Sequence, residues 1–184
     1  MPLPLKLHPD SFCGALTGID AEVTRPQPDE LALSYVVSGR IGDLRLPEAS
    51  TPARTDALWQ HTCFEAFIRP SAGAGYYEFN FAPSTQWAAY RFAGYRSGVQ
   101  AAAEIAAPAI TTQAGDDTYT LRAVLRLDRL LSVAPSAGWR LGLSAVIEET
   151  NGRQSYWALA HPPGKPDFHH ADCFALDFSQ ALRS

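Results

Sequence analysis

The chain has 184 residues, enough for one domain with a substantial core and short for two. Hydrophobic residues make up 46% and charged residues 18%, which excludes a disordered or highly charged chain. A formal net charge of −4, with arginines scattered along the chain, argues against nucleic-acid binding, and no apolar run is long enough to cross a bilayer.

The start, Met1-Pro2-Leu3-Pro4-Leu5-Lys6-Leu7-His8-Pro9, lacks the basic residues and unbroken apolar stretch of a secretory signal, so a cytoplasmic location is expected. After the breaker Arg25-Pro26-Gln27-Pro28-Asp29, Leu31, Leu33, Tyr35 and Val37 alternate with smaller or polar neighbours. The run Cys63-Phe64-Glu65-Ala66-Phe67-Ile68 is followed by a turn at 70–75 and by Tyr76-Tyr77-Glu78-Phe79-Asn80-Phe81. Pro83-Ser84-Thr85 then separates that strand from Trp87-Ala88-Ala89-Tyr90-Arg91-Phe92. Residues 97–107 read as a short helix or an irregular edge. Tyr119, Leu121, Ala123, Leu125 and Leu127 give the clearest alternation, and Trp139, Leu141, Leu143, Ala145 and Ile147 repeat it. Asn151-Gly152 predicts a hairpin, because both residues tolerate positive φ. Beyond Pro162-Pro163-Gly164, a last strand is expected through Phe174, Leu176 and Phe178, with 180–184 as a tail.

Alternation with period two means one buried and one wet face, the pattern of antiparallel sheets. The expected fold is all-β: an antiparallel two-sheet β-sandwich, jelly-roll-like, of about ten strands with at most short helices. It is expected to form one domain over residues 1–184, with a closed barrel as the structural alternative.

If the chain turns at 70–75, Glu65 falls opposite Asn80 and Phe67 opposite Glu78. Cys63, Glu65, Phe67, Glu78 and Asn80 then share a face that reads as wet, while Phe64, Ala66, Ile68, Tyr77, Phe79 and Phe81 make the core face. A face with two carboxylates, an amide and nearby aromatics suits a sugar. Rings stack on its C–H faces while carboxylates and amides bond its hydroxyls. The plain alternative is an ordinary solvated sheet face.

Those residues also carry a family resemblance. The run from Trp59 to Arg96, with Tyr156-Trp157-Ala158-Leu159-Ala160-His161-Pro162 and Phe174-Ala175-Leu176, resembles the DOMON-like proteins related to family 9 carbohydrate-binding modules. The resemblance spans about 10–178 and is best at 58–96 and 155–178. It implies a β-sandwich that binds a sugar or, in some relatives, haem. It also implies a sugar-gripping tryptophan followed six residues later by a glutamate, which Trp59 and Glu65 match. Arginine and asparagine contacts carry over to Arg91 and Asn80. The family's second stacking tryptophan is replaced by Phe168 or by a histidine such as His169. A Met/His haem site is disfavoured, since Met1 is the sole methionine.

The expected function is non-catalytic binding of a small carbohydrate or other polyhydroxylated molecule. Trp59 is the stacking platform, Glu65, Glu78, Asn80 and Arg91 supply polar contacts, and Phe168 or His169 lines the far side. One alternative is a glycoside-active enzyme using Glu65 and Glu78, which needs the carboxyls roughly 5–9 Å apart across a sugar. Another is a protein-interaction domain that has lost its ligand. No cofactor is expected. His61, Cys63 and the stretch His169-His170-Ala171-Asp172-Cys173 lack the spacing of a structural metal site. A nucleophilic Cys173 beside a histidine is disfavoured, because neighbours on a strand point apart. Cys63 and Cys173 are taken as strand residues and free thiols, close enough in principle to pair on oxidation.

Overall fold

The computed structural model describes residues 1–71, 73–131 and 138–178, and the tail expected at 180–184 lies outside them. The strands are β1 (Leu3–Leu7), β2 (Leu16–Thr24), β3 (Glu30–Gly39), β4 (Cys63–Pro70), β5 (Tyr76–Phe81) and β6 (Trp87–Phe92). They continue with β7 (Gln100–Ala101), β8 (Ala109–Ala114), β9 (Thr118–Arg126), β10 (Trp139–Glu148), β11 (Gln154–Ala158) and β12 (Leu176–Asp177). The single α-helical turn among the described residues is α1 (Asp128–Leu131). No helix among them is long and apolar enough to cross a membrane.

All pairings of named strands are antiparallel, and they form one continuous path, β7-β6-β5-β4-β10-β11-β1-β2-β3-β9-β8, with β12 added beside β10. The separation into two sheets expected from the sequence is bridged by β1. Leu3 to Leu5 pair with β2, while Lys6 and Leu7 pair with β11. The sheet is curled, so that β3 and β9 face β4 across the core. Phe64 of β4 lies 5.2 Å from the ring of Tyr35 and 6.2 Å from that of Tyr119. The Tyr35 hydroxyl donates to the Glu65 carbonyl at 2.7 Å, a buried tie between the two halves.

Turn chemistry behaves as the residues dictate. Gly152 takes a φ of 83° in the hairpin joining β10 to β11, and Asn151 accepts the Arg153 N–H at 2.8 Å. Of the two readings of residues 97–107, the irregular edge holds: β7 pairs with β6 at the end of the path, and buried Ala102 bonds the Ala89 carbonyl at 2.9 Å, so sheet pairing overrides the helix propensity of the alanines. The last strand is shorter than expected. Ala171–Cys173 is a 3-10 turn, closed by the Cys173 N–H on the His170 carbonyl, which takes Cys173 off the strand.

The largest correction concerns the second face of β4, β5 and β6. It is not wet: Glu65 is 3% exposed, Glu78 6% and Asn80 0%. Phe168 and Phe174, from the segment after β11, pack there with Phe67, Tyr76, Phe92, Val146 and Ala158 as a second apolar cluster. The period-two pattern identifies the two faces correctly. It cannot show that a later segment will cover one of them.

Tyr35→Phe removes the donor that ties β3 to the carbonyl beneath the second face. A buried hydrogen bond of this kind contributes about 1 kcal/mol, and leaving its acceptor unpaired adds to the loss. Tyr35→Phe is therefore expected to lower unfolding stability by roughly 1–3 kcal/mol. Urea denaturation checks this, and an unchanged midpoint would contradict the tie.

Candidate functional site

The register of β4 on β5 is the one the turn at 70–75 predicts: Glu65 opposite Asn80 and Phe67 opposite Glu78. On the other side of β4, Ser144 of β10 stands opposite Glu65 and donates its hydroxyl to Glu65 Oε2 at 3.2 Å. Asn80 Nδ2 donates to Glu78 Oε1 at 2.9 Å, and Asn80 Oδ1 is buried without a hydrogen-bond partner. Two carboxylates on neighbouring strands thus form the floor of a cavity of about 660 Å³.

Aromatic side chains wall this cavity: Tyr90 and Phe92 from β6, Tyr156 from β11, and Phe168 from the covering segment. Trp59 stands at the rim. It belongs to the 3-10 turn Leu58–Gln60, which is anchored by buried Leu58 against Cys63, Ala82 and Ala88. That anchor leaves the Trp59 ring 52% exposed while it still lines the cavity. The turn is further tied by the Gln154 side-chain N–H on the Gln60 carbonyl at 2.6 Å, and Tyr90 donates to Asp56 at 2.7 Å nearby.

The far wall is His169, held from several sides. Its ring packs edge-on against Phe67 and Phe92 at 5.1 Å each. The Tyr76 hydroxyl accepts the Arg96 backbone N–H at 3.3 Å and lies 2.8 Å from His169 Nδ1. His169 Nε2 lies 3.7 Å from Glu78 Oε2, too far for a hydrogen bond. Asp167 fixes the same segment: Arg96 donates to it from Nε at 3.2 Å and from a terminal nitrogen at 2.7 Å, and Tyr95 donates to its second oxygen.

Of the residues singled out from sequence, Trp59, Glu65, Glu78, Phe168 and His169 line the cavity. Asn80 does not line the cavity: it is fully buried and reaches it only through Glu78, to which it donates. Arg91 is elsewhere: it points to the opposite edge and donates to Gln100 at 2.7 Å and to Glu104 at 3.4 Å. The arginine that does line the cavity is Arg96, in the turn after β6 with a φ of 48°. Its only sequence cue is the Gly94-Tyr95-Arg96-Ser97-Gly98 turn.

Cys173, considered as a nucleophile, is a structural donor. Its thiol lies 3.2 Å from the carbonyls of both Ala160 and Asp167, and burial followed by the Asp167 charge pushes its pKa up to about 12. Cys63 is also a free, buried thiol. Among the described residues, no three His, Cys, Asp or Glu side chains gather as a metal site would require.

Burial pushes the Glu65 carboxyl well above its ordinary 4.5, and the Glu78 charge beside it pushes the same way. Burial likewise raises Glu78, against the pull of Asn80 and Arg96. Burial, then the Arg96 charge, lowers His169 to about 4. At neutral pH His169 is therefore uncharged.

No protein-family model matches the sequence, and no curated protein matches it. Among solved structures, the chain is similar to a candidate carbohydrate-binding protein from Bacteroides uniformis. That match has a TM-score of 0.66 and 14% identity, and covers 94% of this chain and 82% of that one. The likeness is one of fold. A family 9 carbohydrate-binding module from Caldicellulosiruptor kristjanssonii, in complex with glucose, matches at a TM-score of 0.47 and 13% identity, over 87% of this chain and 76% of that one.

Raised carboxyl values mean that the folded chain binds more protons than the unfolded chain. The stability associated with Glu65 and Glu78 is complete below 4.5 and is lost as pH climbs through their raised values. His169 acts in the opposite sense, favouring the fold above 6.5 and losing that contribution as pH falls towards about 4. Glu65→Gln, which cannot ionise, is therefore expected to gain stability relative to the parent chain progressively from pH 4.5 to pH 8. Urea midpoints across that range check it. A difference independent of pH would contradict a buried, ionisable pair.

Proposed function

We propose that this chain is a non-catalytic binding domain for a small carbohydrate or similar polyhydroxylated molecule, held in the cavity above Glu65 and Glu78. One observation carries this reading: two buried carboxylates floor a cavity that has aromatic walls and a half-exposed tryptophan at its rim. Carboxylates accept hydroxyl protons, and rings cover the apolar faces of a pyranose. Water-filled, such a cavity leaves both carboxylates poorly solvated, so a ligand bringing several donors gains more here than at an open surface. Trp59 supplies the platform, Glu65 and Glu78 the acceptors, and Phe168 with His169 the opposite wall.

The carbohydrate-binding description of the Bacteroides uniformis neighbour points the same way. The sandwich reading of the fold belongs to this proposal too. Ring contacts of Tyr35 and Tyr119 with Phe64 support two facing layers joined through β1. Non-catalytic binding is preferred because Glu65 and Glu78 rise side by side from one floor. A glycosidase pair instead approaches the scissile bond from its two sides.

Trp59→Ala is the test. If Trp59 stacks on the ligand, its removal should cost about 2 kcal/mol or more of binding, as truncation of a hot-spot aromatic does. Stability should fall by less than about 1 kcal/mol, well short of the roughly 3–5 kcal/mol expected for a buried tryptophan. Calorimetric titration of mono- and disaccharides and urea midpoints of both proteins read the two effects. A Trp59→Ala protein that binds like its parent, or turnover of an aryl glycoside by the parent chain, would contradict the proposal.

A further inference from the structure

The floor of the cavity is unusual in its balance of donors and acceptors. Glu78 Oε2 has no hydrogen bond, since neutral His169 stops 3.7 Å away. Asn80 Oδ1 is buried and unpartnered between the same strands. Glu65 receives one neutral donor, the Ser144 hydroxyl at 3.2 Å. The floor is therefore rich in acceptors, and no cation among the described residues is hydrogen-bonded to either carboxylate.

Charges elsewhere around the cavity do not remedy this. Arg96 lowers both carboxyl values through space, but its guanidinium is bonded to Asp167, whose own charge offsets it. The Tyr90 hydroxyl is directed to Asp56 and the Tyr76 hydroxyl to His169. Neutral sugar hydroxyls answer the shortage of donors but not the charge. A primary ammonium answers both, bringing three N–H donors and one positive charge. Trp59, Tyr90, Phe92 and Tyr156 add aromatic surface around the same space, which favours a desolvated cation further.

We propose that the ligand carries a protonated amine, as an amino sugar does, and that its ammonium group docks on Glu65 and Glu78. The proposal rests on the carbohydrate-binding reading and specifies its ligand class.

Calorimetric titration of the full chain with glucosamine, galactosamine and mannosamine, each against its parent hexose, tests this. The runs are made at pH 7, with cyclohexylamine as an amine that carries no hydroxyls. The expected result is at least one amino sugar binding about tenfold or more tighter than its hexose, as a hydrogen bond to a charged group gives. Glu78→Gln should cut that preference to below about threefold, since the charge that distinguishes amine from hydroxyl is gone. A hexose that binds as tightly as its amino sugar overturns the ammonium site and leaves the carbohydrate reading standing. Cyclohexylamine binding as tightly as the best amino sugar supports the ammonium site and overturns the carbohydrate reading. No binding by any amine overturns the proposal, whatever the hexoses do.

Discussion

Two carboxyl groups kept out of water side by side are the constraint on which the rest of this molecule turns. Burying one carboxylate is costly, and burying a second beside it adds direct repulsion. Glu65 and Glu78 bear both costs with modest relief, a serine hydroxyl for one and an asparagine amide for the other. Burial raises both carboxyl values, and the Glu78 charge raises that of Glu65 as well. A fold selected for stability alone has easier choices at these two positions, since apolar or amide side chains of similar size carry no such penalty. The penalty becomes intelligible when a ligand supplies the missing donors.

Much of the surrounding architecture keeps that floor dry and in place. Behind it, Tyr35 reaches across the core to the Glu65 backbone. In front, the segment after β11 is drawn over the sheet by the Cys173 thiol on two of its own carbonyls and by Asp167 on Arg96 and Tyr95. The rings of Phe67, Tyr76, Phe92 and Phe174 then pack under it. His169 is positioned at the join, neutral because burial and the Arg96 charge both oppose its protonation. These ties belong to one device: the covering segment is secured through polar contacts at its edge and apolar contacts beneath, leaving the cavity open beside Trp59.

The sequence discloses the sheet faces and hides what covers them. Alternation across Cys63–Pro70 and Tyr76–Phe81, with a short turn between, is enough to place Glu65 opposite Asn80 and both near Glu78. Local turn chemistry at Asn151-Gly152 is equally readable. The burial of that polar face was not legible, because it depends on residues some 90 positions later folding back, for which periodicity holds no information. Arg96 was missed for a related reason. It is defined by a tight turn with positive φ and by a partner, Asp167, 71 residues away, whereas Arg91 sits on a readable strand and faces the other way. Trp59 lay between these cases: its place before β4 was evident, but its exposure follows from the Leu58 anchor.

The central claim is that Glu65 and Glu78 form a buried, interacting pair to which no cation among the described residues is hydrogen-bonded. The most direct measurement is an NMR titration of their side-chain carboxyl carbons in the ligand-free protein, assigned through Glu65→Gln and Glu78→Gln. The account predicts that both titrate above 4.5 in the intact protein and that removing either charge lowers the value of the other. Two carboxyls that titrate independently and close to 4.5 would contradict it.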